Sequence, residues 1–341
     1  MTRVALSIVL AFVASAALAR FLSRYRGRFA LLDLPNARSL HSGATPRSGG
    51  LAILAGLAAG LLATGLHVPG LGWVAAPLVM VATVSFADDV WRLPVWLRLL
   101  VHVLAALGLV DWGGYALESL HLLPGWEWQA PHGVLMAFSL LLTVWLINLY
   151  NFMDGMDGFA GGMAVIGFGT FALLGFLAHA PVFTCVALLV AAAAGGFLPF
   201  NFPPARLFMG DVGSGSLGLL VALFLLWAER QGLFPLWLGL LVFSPFVVDA
   251  TWTVIRRAVH GSRPWQAHRG HFYQRLVGLG WSHRRVVLWE YGLMLKCSLL
   301  AVAGFCFTET GVQGLLLGWA AAVYLVLVAY VNVLERRRAP T

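Results

Sequence analysis

Residues 181–199 read PVFTCVALLVAAAAGGFLP, an apolar run without a single charged side chain. A run of this length crosses the roughly 30 Å hydrocarbon core of a bilayer as one helix. Such runs are long and continuous rather than short and alternating, so they predict helices and not a β-barrel. The sequence therefore predicts an all-α, polytopic membrane helical bundle of about eleven spans, at approximately 4–22, 50–68, 71–87, 95–111, 132–150, 159–178, 181–199, 213–228, 233–255, 286–306 and 312–333.

The composition supports a membrane protein. Of the 341 residues, 60% are hydrophobic and only 11% are charged, whereas soluble domains carry about 25% charged residues. So few charges cannot cover a water-soluble body, which excludes a soluble enzyme, a secreted disulfide scaffold and a disordered chain. Cys185, Cys297 and Cys306 lie in apolar runs, as small buried hydrophobes do. Little sequence remains outside the runs, so we expect residues 1–341 to form a single membrane domain.

The basic residues predict the orientation in the membrane. Of the 22 Lys and Arg residues, all but Arg3, Arg230 and Lys296 fall on one side of the predicted spans. By the positive-inside rule that side is the cytoplasm, so an odd number of spans places the N-terminus outside and the C-terminus in the cytoplasm. A cleaved signal peptide at residues 1–20 is the alternative for the first run, but more arginines follow it than precede it. Topology thus explains the net charge of +8, and we expect no nucleic-acid partner.

The aspartates on the predicted cytoplasmic side are the main functional candidates. Ionisable groups near hydrocarbon are costly, so they mark function by default. Carboxylates that converge repel one another unless a cation lies among them, and Mg²⁺ suits all-oxygen ligands. An isolated acid beside an arginine could explain Asp33 or Asp249 singly. It does not explain the adjacent pair Asp88-Asp89. The set comprises Asp33, Asp88, Asp89, Asp154, Asp157, Asp211 and Asp249.

Two motifs are dense in polar side chains. Residues 148–158, NLYNFMDGMDG, place oxygen-bearing side chains every three residues, on adjoining parts of one helical face. Residues 200–211, FNFPPARLFMGD, interrupt a helix with two prolines and end on Asp211 before the next span. The Asp211 carboxylate could bind a metal whose other ligands are phosphates, or it could cap the helix.

Three further segments have weaker patterns. Residues 86–92, FADDVWR, pair two carboxylates that could bind metal or take a proton. Residues 33–50 form a Pro/Gly-punctuated loop that ends at a helix start, where an anion is favoured, although a plain loop is the alternative. The loop after the ninth predicted span is rich in Arg and His. It suits phosphate or sugar contact better than zinc, and a purely topogenic basic loop is the alternative.

Together, the segments between about Asp33 and Gln274 resemble the polyprenyl-phosphate N-acetylhexosamine-1-phosphate transferase family. The runs at 148–158 and 200–211 are the specific parts of this resemblance. It implies an enzyme of the bacterial inner (plasma) membrane whose active site faces the cytoplasm. In that reaction undecaprenyl phosphate attacks the β-phosphorus of a UDP-N-acetylhexosamine, which gives polyprenyl-diphosphate-sugar and UMP. The resemblance also implies Mg²⁺ as cofactor, with Mn²⁺ as a substitute, and leaves a homodimer open.

The resemblance also assigns roles to individual residues. The implied metal ligands are Asp211 and Asp154. The implied catalytic residues, one of which could act as a base, are Asp88, Asp89, Asp154 and Asp157. The nucleotide contacts, with Phe208 stacked on uracil, are Asn151, Asp157, Asn201 and Phe208. The phosphate or sugar contacts are Arg47, Arg92, His268, Arg269 and His271.

Two departures from the family's peptidoglycan branch bear on the substrate. That branch has Lys where this chain has Arg92, and three consecutive histidines where this chain reads AHRGHFYQ at residues 267–274. The loop is more similar to the branch that starts O-antigen or other surface-glycan synthesis on N-acetylglucosamine or N-acetylfucosamine. A phospho-N-acetylmuramoyl-pentapeptide transferase is therefore the alternative within the family.

Three alternatives come from other classes. A CDP-alcohol phosphatidyltransferase needs Ala-Arg where this chain has Ala160-Gly161. An intramembrane aspartyl protease needs a GxGD motif, which Met209-Gly210-Asp211 does not complete. A membrane transporter would explain intramembrane charge, but no inverted repeat is detectable.

Overall fold

The computed structural model describes residues 2–25, 31–33, 44–66, 71–261 and 269–338. Most of this part of the chain is helical, which confirms the predicted all-α polytopic class. The helices are α1 (Thr2–Arg24), α2 (Gly49–Thr64), α3 (Leu71–Trp91), α4 (Val95–Leu107), α5 (His132–Phe152), α6 (Phe159–Leu177), α7 (Pro181–Asn201), α8 (Gly210–Arg230), α9 (Leu236–Val242), α10 (Ser244–Val259), α11 (Phe272–Gly278), α12 (His283–Cys306) and α13 (Thr310–Arg338).

Short elements complete the chain between the helices. A π-helical turn, Gly108–Trp112, extends α4. Strands β1 (Leu32–Asp33) and β2 (Thr45–Pro46) pair antiparallel, as do β3 (Leu120–Leu123) and β4 (Trp126–Trp128).

The number of spans differs from the prediction in two places. Nine helices of the described chain are long and apolar enough to cross a membrane. The predicted span at 233–255 is broken, because α9 and α10 meet at an angle of 86°. Pro245 in the first turn of α10 has no backbone N–H to continue the preceding helix. Helix α2 has only 16 residues, a length of about 24 Å that falls short of the hydrocarbon core.

Counting the bent pair as one span gives up to ten among the described residues. The total of eleven and the orientation of the two termini therefore stay predictions.

Successive helices bring their ends together at one end of the bundle. The last turns of α3, α5 and α7 meet the first turns of α4 and α8 and the residue before α6. The contacts that join them are Asp88–Arg98, Asn151–Ser214 and Asn201–Gly158. We call this the aspartate end. The β3–β4 hairpin contacts the last turn of α8 at the opposite end, where the backbone N–H of His121 donates to Glu229.

Helix α8 is the centre of the bundle and fixes the position of Asp211. Of the most apolar 18-residue stretch of α8, 89% of the residues are buried inside the bundle, whereas the corresponding value for α13 is 11%. Glycines let other helices approach α8 closely, because a Cβ at Gly50 would overlap the backbone of Gly213 and one at Gly218 would overlap Leu146. Small residues at helix contacts are typical of membrane bundles. The start of α8 is thus held rigidly against α2 and α5.

Candidate active site

Three aspartates and two arginines from four segments form the centre of the aspartate end. Arg98, in the first turns of α4, places Nη1 2.5 Å from Asp88 Oδ2 and 3.8 Å from Asp211 Oδ2. Asp89 is buried beside them, and its Oδ1 lies 3.4 Å from Arg47 Nη1. Arg47 also donates to the backbone carbonyl of Asp89. The predicted convergence of Asp88, Asp89 and Asp211 is therefore observed.

Asp154 adds a fourth carboxylate to this cluster. It lies in the connection between α5 and α6, where the residue is partly exposed but its carboxyl group is enclosed by protein. Its pKa is raised well above the usual value, first by burial and then by neighbouring carboxylates, with Asp211 the strongest and Asp89 the next. Like charges that crowd one another favour the neutral form of an acid. Even without a charge on Asp154, the carboxylates of Asp88, Asp89 and Asp211 outnumber the guanidinium groups of Arg47 and Arg98.

A short set of backbone hydrogen bonds places Arg47 and Asp211 next to each other. The N–H of Phe208 donates to the carbonyl of Pro46 at 2.7 Å. The N–H of Gly49 donates to the carbonyl of Phe208 at 2.9 Å. Gly210 begins α8 at a φ of 73°, which favours glycine, and a Cβ there would overlap the carbonyl of Arg47. The FMGD run is thus attached to strand β2, which Arg47 directly follows.

The NxxNxxDGxDG motif lies against the FNFPPA run through side chain to backbone bonds. Asp157 Oδ2 accepts from the N–H of Ala205 at 3.0 Å and lies 3.5 Å from Nδ1 of His283. Asn201 is buried, accepts from the N–H of Gly158 at 3.0 Å and donates to the carbonyl of Leu207 at 3.0 Å. Its amide therefore holds the two loops together.

The residues present fit a cation, although they do not form a complete cage for one. Among the described residues, no three His, Cys, Asp or Glu side chains are arranged so that they could hold a metal ion. However, Asp89 Oδ2 is buried and has no hydrogen-bond partner in the described chain. Mg²⁺ is usually bound by one or two carboxylates together with substrate phosphates. The oxygen donors and the excess of negative charge fit that mode of binding.

Comparison with known proteins identifies the family. Residues 71–229 match the family described as glycosyl transferase family 4. The chain is 30% identical to decaprenyl-phosphate N-acetylglucosaminephosphotransferase of Mycolicibacterium smegmatis, over 88% of this chain and 81% of that protein. The chain belongs to glycosyl transferase family 4.

Other relatives of this family 4 protein agree with that assignment. It is 27% identical to the probable undecaprenyl-phosphate N-acetylglucosaminyl 1-phosphate transferase of Bacillus subtilis, over 89% of this chain and 85% of the relative. It is 25% identical to the undecaprenyl-phosphate alpha-N-acetylglucosaminyl 1-phosphate transferase of Escherichia coli K12, over 83% and 78% of the two chains. The family recognised from the motifs is confirmed.

The other predicted contacts of the family 4 protein are placed differently. Asn151 accepts from Ser214 at 3.2 Å beside the cluster, and Phe208 is partly exposed. Arg92 lies in the exposed turn after α3, at a φ of 54°, and its side chain forms no ion pair with another described residue. The structure thus brings Arg98, and not Arg92, to the aspartates.

The loop between α10 and α11 is only partly described. His268 lies outside the described residues, and Arg269 is exposed. His271 is buried and its Nδ1 lies 3.3 Å from Asp249 Oδ1, while the N–H of Phe272 donates to both Asp249 oxygens at 3.0 Å. Asp249, in α10, therefore holds the start of α11.

Sequence reasoning missed Arg98, His102 and His283 as members of the site. Arg98 and His102 line a cavity of about 90 Å³ that also reaches Asn151 and Asp211. Both lie inside the predicted apolar span at 95–111, where a charged or titratable side chain is unusual. That anomaly was the available signal. His283 belongs to the Arg- and His-rich loop for which phosphate or sugar contact was predicted, but its contact with Asp157 was not predictable because the two residues lie far apart in sequence.

Proposed function

We propose that this family 4 protein transfers N-acetylhexosamine 1-phosphate from a UDP-sugar to undecaprenyl phosphate. The observation that carries the proposal is the cluster of four carboxylates and two arginines at one end of an apolar helical bundle. Such a site suits the phosphates of a donor and an acceptor, because arginines bind phosphate oxygens and carboxylates bind a cation that also binds phosphate. Relatives over most of the chain are named for the same kind of transfer.

The reaction transfers the sugar 1-phosphate from UMP to the lipid phosphate, so one phosphoanhydride bond is exchanged for another. An oxygen of the lipid phosphate attacks the β-phosphorus of the UDP-sugar, which carries the sugar. The bond from that phosphorus to the oxygen that bridges to the α-phosphorus breaks, and UMP leaves with this oxygen and its electron pair. A phosphate monoester is largely ionised near neutral pH, so alignment and charge neutralisation are more important than removal of a proton. Asp88 or Asp89 is the candidate base where a proton remains.

Individual residues of the site can be assigned proposed roles in this reaction. Arg98 and Arg47 each face aspartates and are placed to contact phosphate oxygens of the substrates. We propose Asp211 and Asp154 as ligands of Mg²⁺, or of Mn²⁺ in its place, with phosphates as the remaining ligands. When bound, the ion would supply positive charge to the diphosphate. Asp157 and Phe208, on the loops that Asn201 joins, are proposed to hold the uridine.

The sugar and the location are finer parts of the proposal. We favour N-acetylglucosamine, because the relatives are named for it, with N-acetylfucosamine as a further donor to test. The excess of arginines on the side of the aspartate end supports a cytoplasmic active site in the bacterial inner membrane. The product would then be the lipid-linked first sugar of a surface glycan.

The test is UMP release by the full-length protein in detergent, with undecaprenyl phosphate, Mg²⁺ and a panel of UDP-N-acetylhexosamines. We expect UMP only when lipid and metal are both present, and the fastest donor names the sugar. UMP formed equally well without the lipid would indicate hydrolysis and contradict the transfer. If no sugar gives UMP and a uridine nucleoside inhibitor also fails to bind, the function is wrong.

A further inference from the structure

Three arginines line a second cavity at the aspartate end, outside the carboxylate cluster. This cavity of about 350 Å³ lies between the last turns of α1, strand β2 and the loop after α7. Its polar side chains come from Arg20, Ser23, Arg24, Thr45 and Arg206. We call it the arginine cavity. Its volume lies within the range of about 300–1,000 Å³ that is typical of ligand pockets.

The charge of the arginine cavity is unbalanced. Among the described residues no acidic side chain lines it, and none of its three guanidinium groups forms an ion pair with a carboxylate of that part of the chain. Arg206 donates only to the carbonyl of Pro199, at 3.3 Å, and lies over the ring of Phe200. Three like charges that share one cavity repel each other. An anion with several oxygens, such as a phosphate, would relieve it.

Topology alone does not require this arrangement. An arginine that only fixes orientation needs to lie on the cytoplasmic side, and it can point into water. Here Arg206, from the loop after α7, meets Arg20 and Arg24 of α1 around one cavity, although the two segments are far apart in sequence. Arg20, Arg24 and Arg206 are exposed, as Arg336 and Arg337 are, so what sets the three apart is that two distant segments bring them around one cavity.

An open, shallow apolar surface of α1 continues from the arginine cavity, and we call it the Ala17–Tyr25 groove. The groove is lined by Ala17, Phe21 and Tyr25, and it shares Arg20 and Arg24 with the cavity. Phe21 is 60% exposed, on a helix that is long and apolar enough to span the membrane. A ligand that fits both sites has a phosphate on the arginines and a hydrocarbon chain along α1. Free phosphate would fit only the first.

We propose that the arginine cavity binds the phosphate headgroup of an anionic membrane lipid, with its chain on the Ala17–Tyr25 groove. The site is separate from the carboxylate cluster but shares its supports. Ala205, which lines the cavity, donates its N–H to Asp157. Thr45, which also lines it, precedes the Pro46 and Arg47 that hold Phe208 and Asp89. A bound lipid would therefore stabilise the loops on which the active site is built.

The binding test uses the purified full-length protein in a neutral detergent, with phosphatidylglycerol as the probe. We expect the probe to raise the Tm, and we expect its apparent affinity to fall at least about tenfold in the triple variant Arg20→Gln, Arg24→Gln, Arg206→Gln. The matched control removes three charges elsewhere on the same side: Arg284→Gln, Arg336→Gln, Arg337→Gln. Single variants Arg24→Gln and Arg206→Gln replace the triple variant if that protein does not fold.

Each outcome decides the proposal. Equal loss of binding in the control variant would show general surface charge and overturn it. An equal Tm rise with inorganic phosphate at the same concentration would show a free-anion site and overturn the lipid assignment, as would an equal rise with zwitterionic phosphatidylcholine. Because the readout is binding, it does not depend on the proposed transfer reaction.

Discussion

Buried acids at the two ends of the bundle are held in opposite ways. At the opposite end, the Glu229 side chain is 3% exposed and accepts from the N–H groups of His121 and Leu236, at 2.9 and 2.5 Å. The Nδ1 of His121 lies 2.7 Å from it as well. At the aspartate end, the Asp89 side chain is 1% exposed, yet its Oδ2 has no partner in the described chain and other carboxylates crowd it.

The difference separates a structural acid from a functional one. Buried polar groups are normally satisfied by hydrogen bonds, and an acid whose bonds are all made within the chain stabilises the fold. A buried acid with one oxygen that lacks a hydrogen bond, as in Asp89 although its other oxygen faces Arg47, is costly among like charges unless something from outside compensates it. Glu229 therefore ties the β3–β4 hairpin to α8 and α9, whereas the aspartate end is prepared for a cation and for phosphates.

The largest effect is expected for Asp211→Asn. This substitution keeps the size of the side chain but removes a charge that we propose as a metal ligand, so turnover should fall at least about a hundredfold. UMP release under saturating Mg²⁺ measures the fall, and a thermal melt confirms that the variant is folded. A Tm rise with Mg²⁺ in the wild type should also disappear. Near-normal turnover would contradict the role of Asp211.

The comparison of the two ends is sharpened by Glu229→Gln and Asp89→Asn. Glu229→Gln weakens charged hydrogen bonds, so we expect a loss of about 2 kcal/mol in stability with unchanged turnover per folded molecule. Asp89→Asn removes a crowded charge, so the apo protein should be as stable as the wild type or more stable, while turnover falls. Thermal melts without Mg²⁺ and UMP release measure both variants. Equal loss of stability in the two variants would remove the distinction.

A smaller effect distinguishes two arginines within the aspartate end. Arg98→Gln removes the guanidinium that lies between Asp88 and Asp211, so kcat should fall about tenfold or more. Arg92→Gln, in the exposed turn, is the matched control, and its kcat should stay within about twofold of the wild type, as for most surface changes. The reverse ranking would restore the role that the sequence motif gave to Arg92.

The sequence predicted the helices better than their interruptions. Long apolar runs predict spans because a bilayer requires about 20 apolar residues. The bend between α9 and α10 cannot be read from these runs, because the sequence around Pro245 is apolar on both sides and looks like one continuous span. They also do not reveal the short length of α2, because Gly65 and Leu66 continue the apolar run although the helix ends at Thr64.

The site was predictable as a set of charges but not as a set of contacts. Aspartates at the ends of spans are costly, and this predicted that Asp88, Asp89 and Asp211 would converge. Which arginine meets them depends on the turn before α4, which the DDxxR spacing does not report. Likewise, the Asn201 amide accepts a hydrogen bond from one backbone group and donates to another, on two loops. No local sequence pattern predicts a hydrogen bond between distant loops.

The smallest expected effect separates stacking from charge at the same end. Phe208→Leu should raise KM for the UDP-sugar about tenfold, since stacking of a base on an aromatic ring contributes about 1–3 kcal/mol. Its kcat should not change, because the side chain is proposed to touch uracil and not the reacting phosphates. Phe86→Leu, on the exposed face of α3, is the matched control. Because UMP carries the same base, its inhibition constant should rise in parallel with KM. A fall in kcat at constant KM would instead place Phe208 in the support of Asp211, which follows it by three residues and shares its backbone contacts with β2.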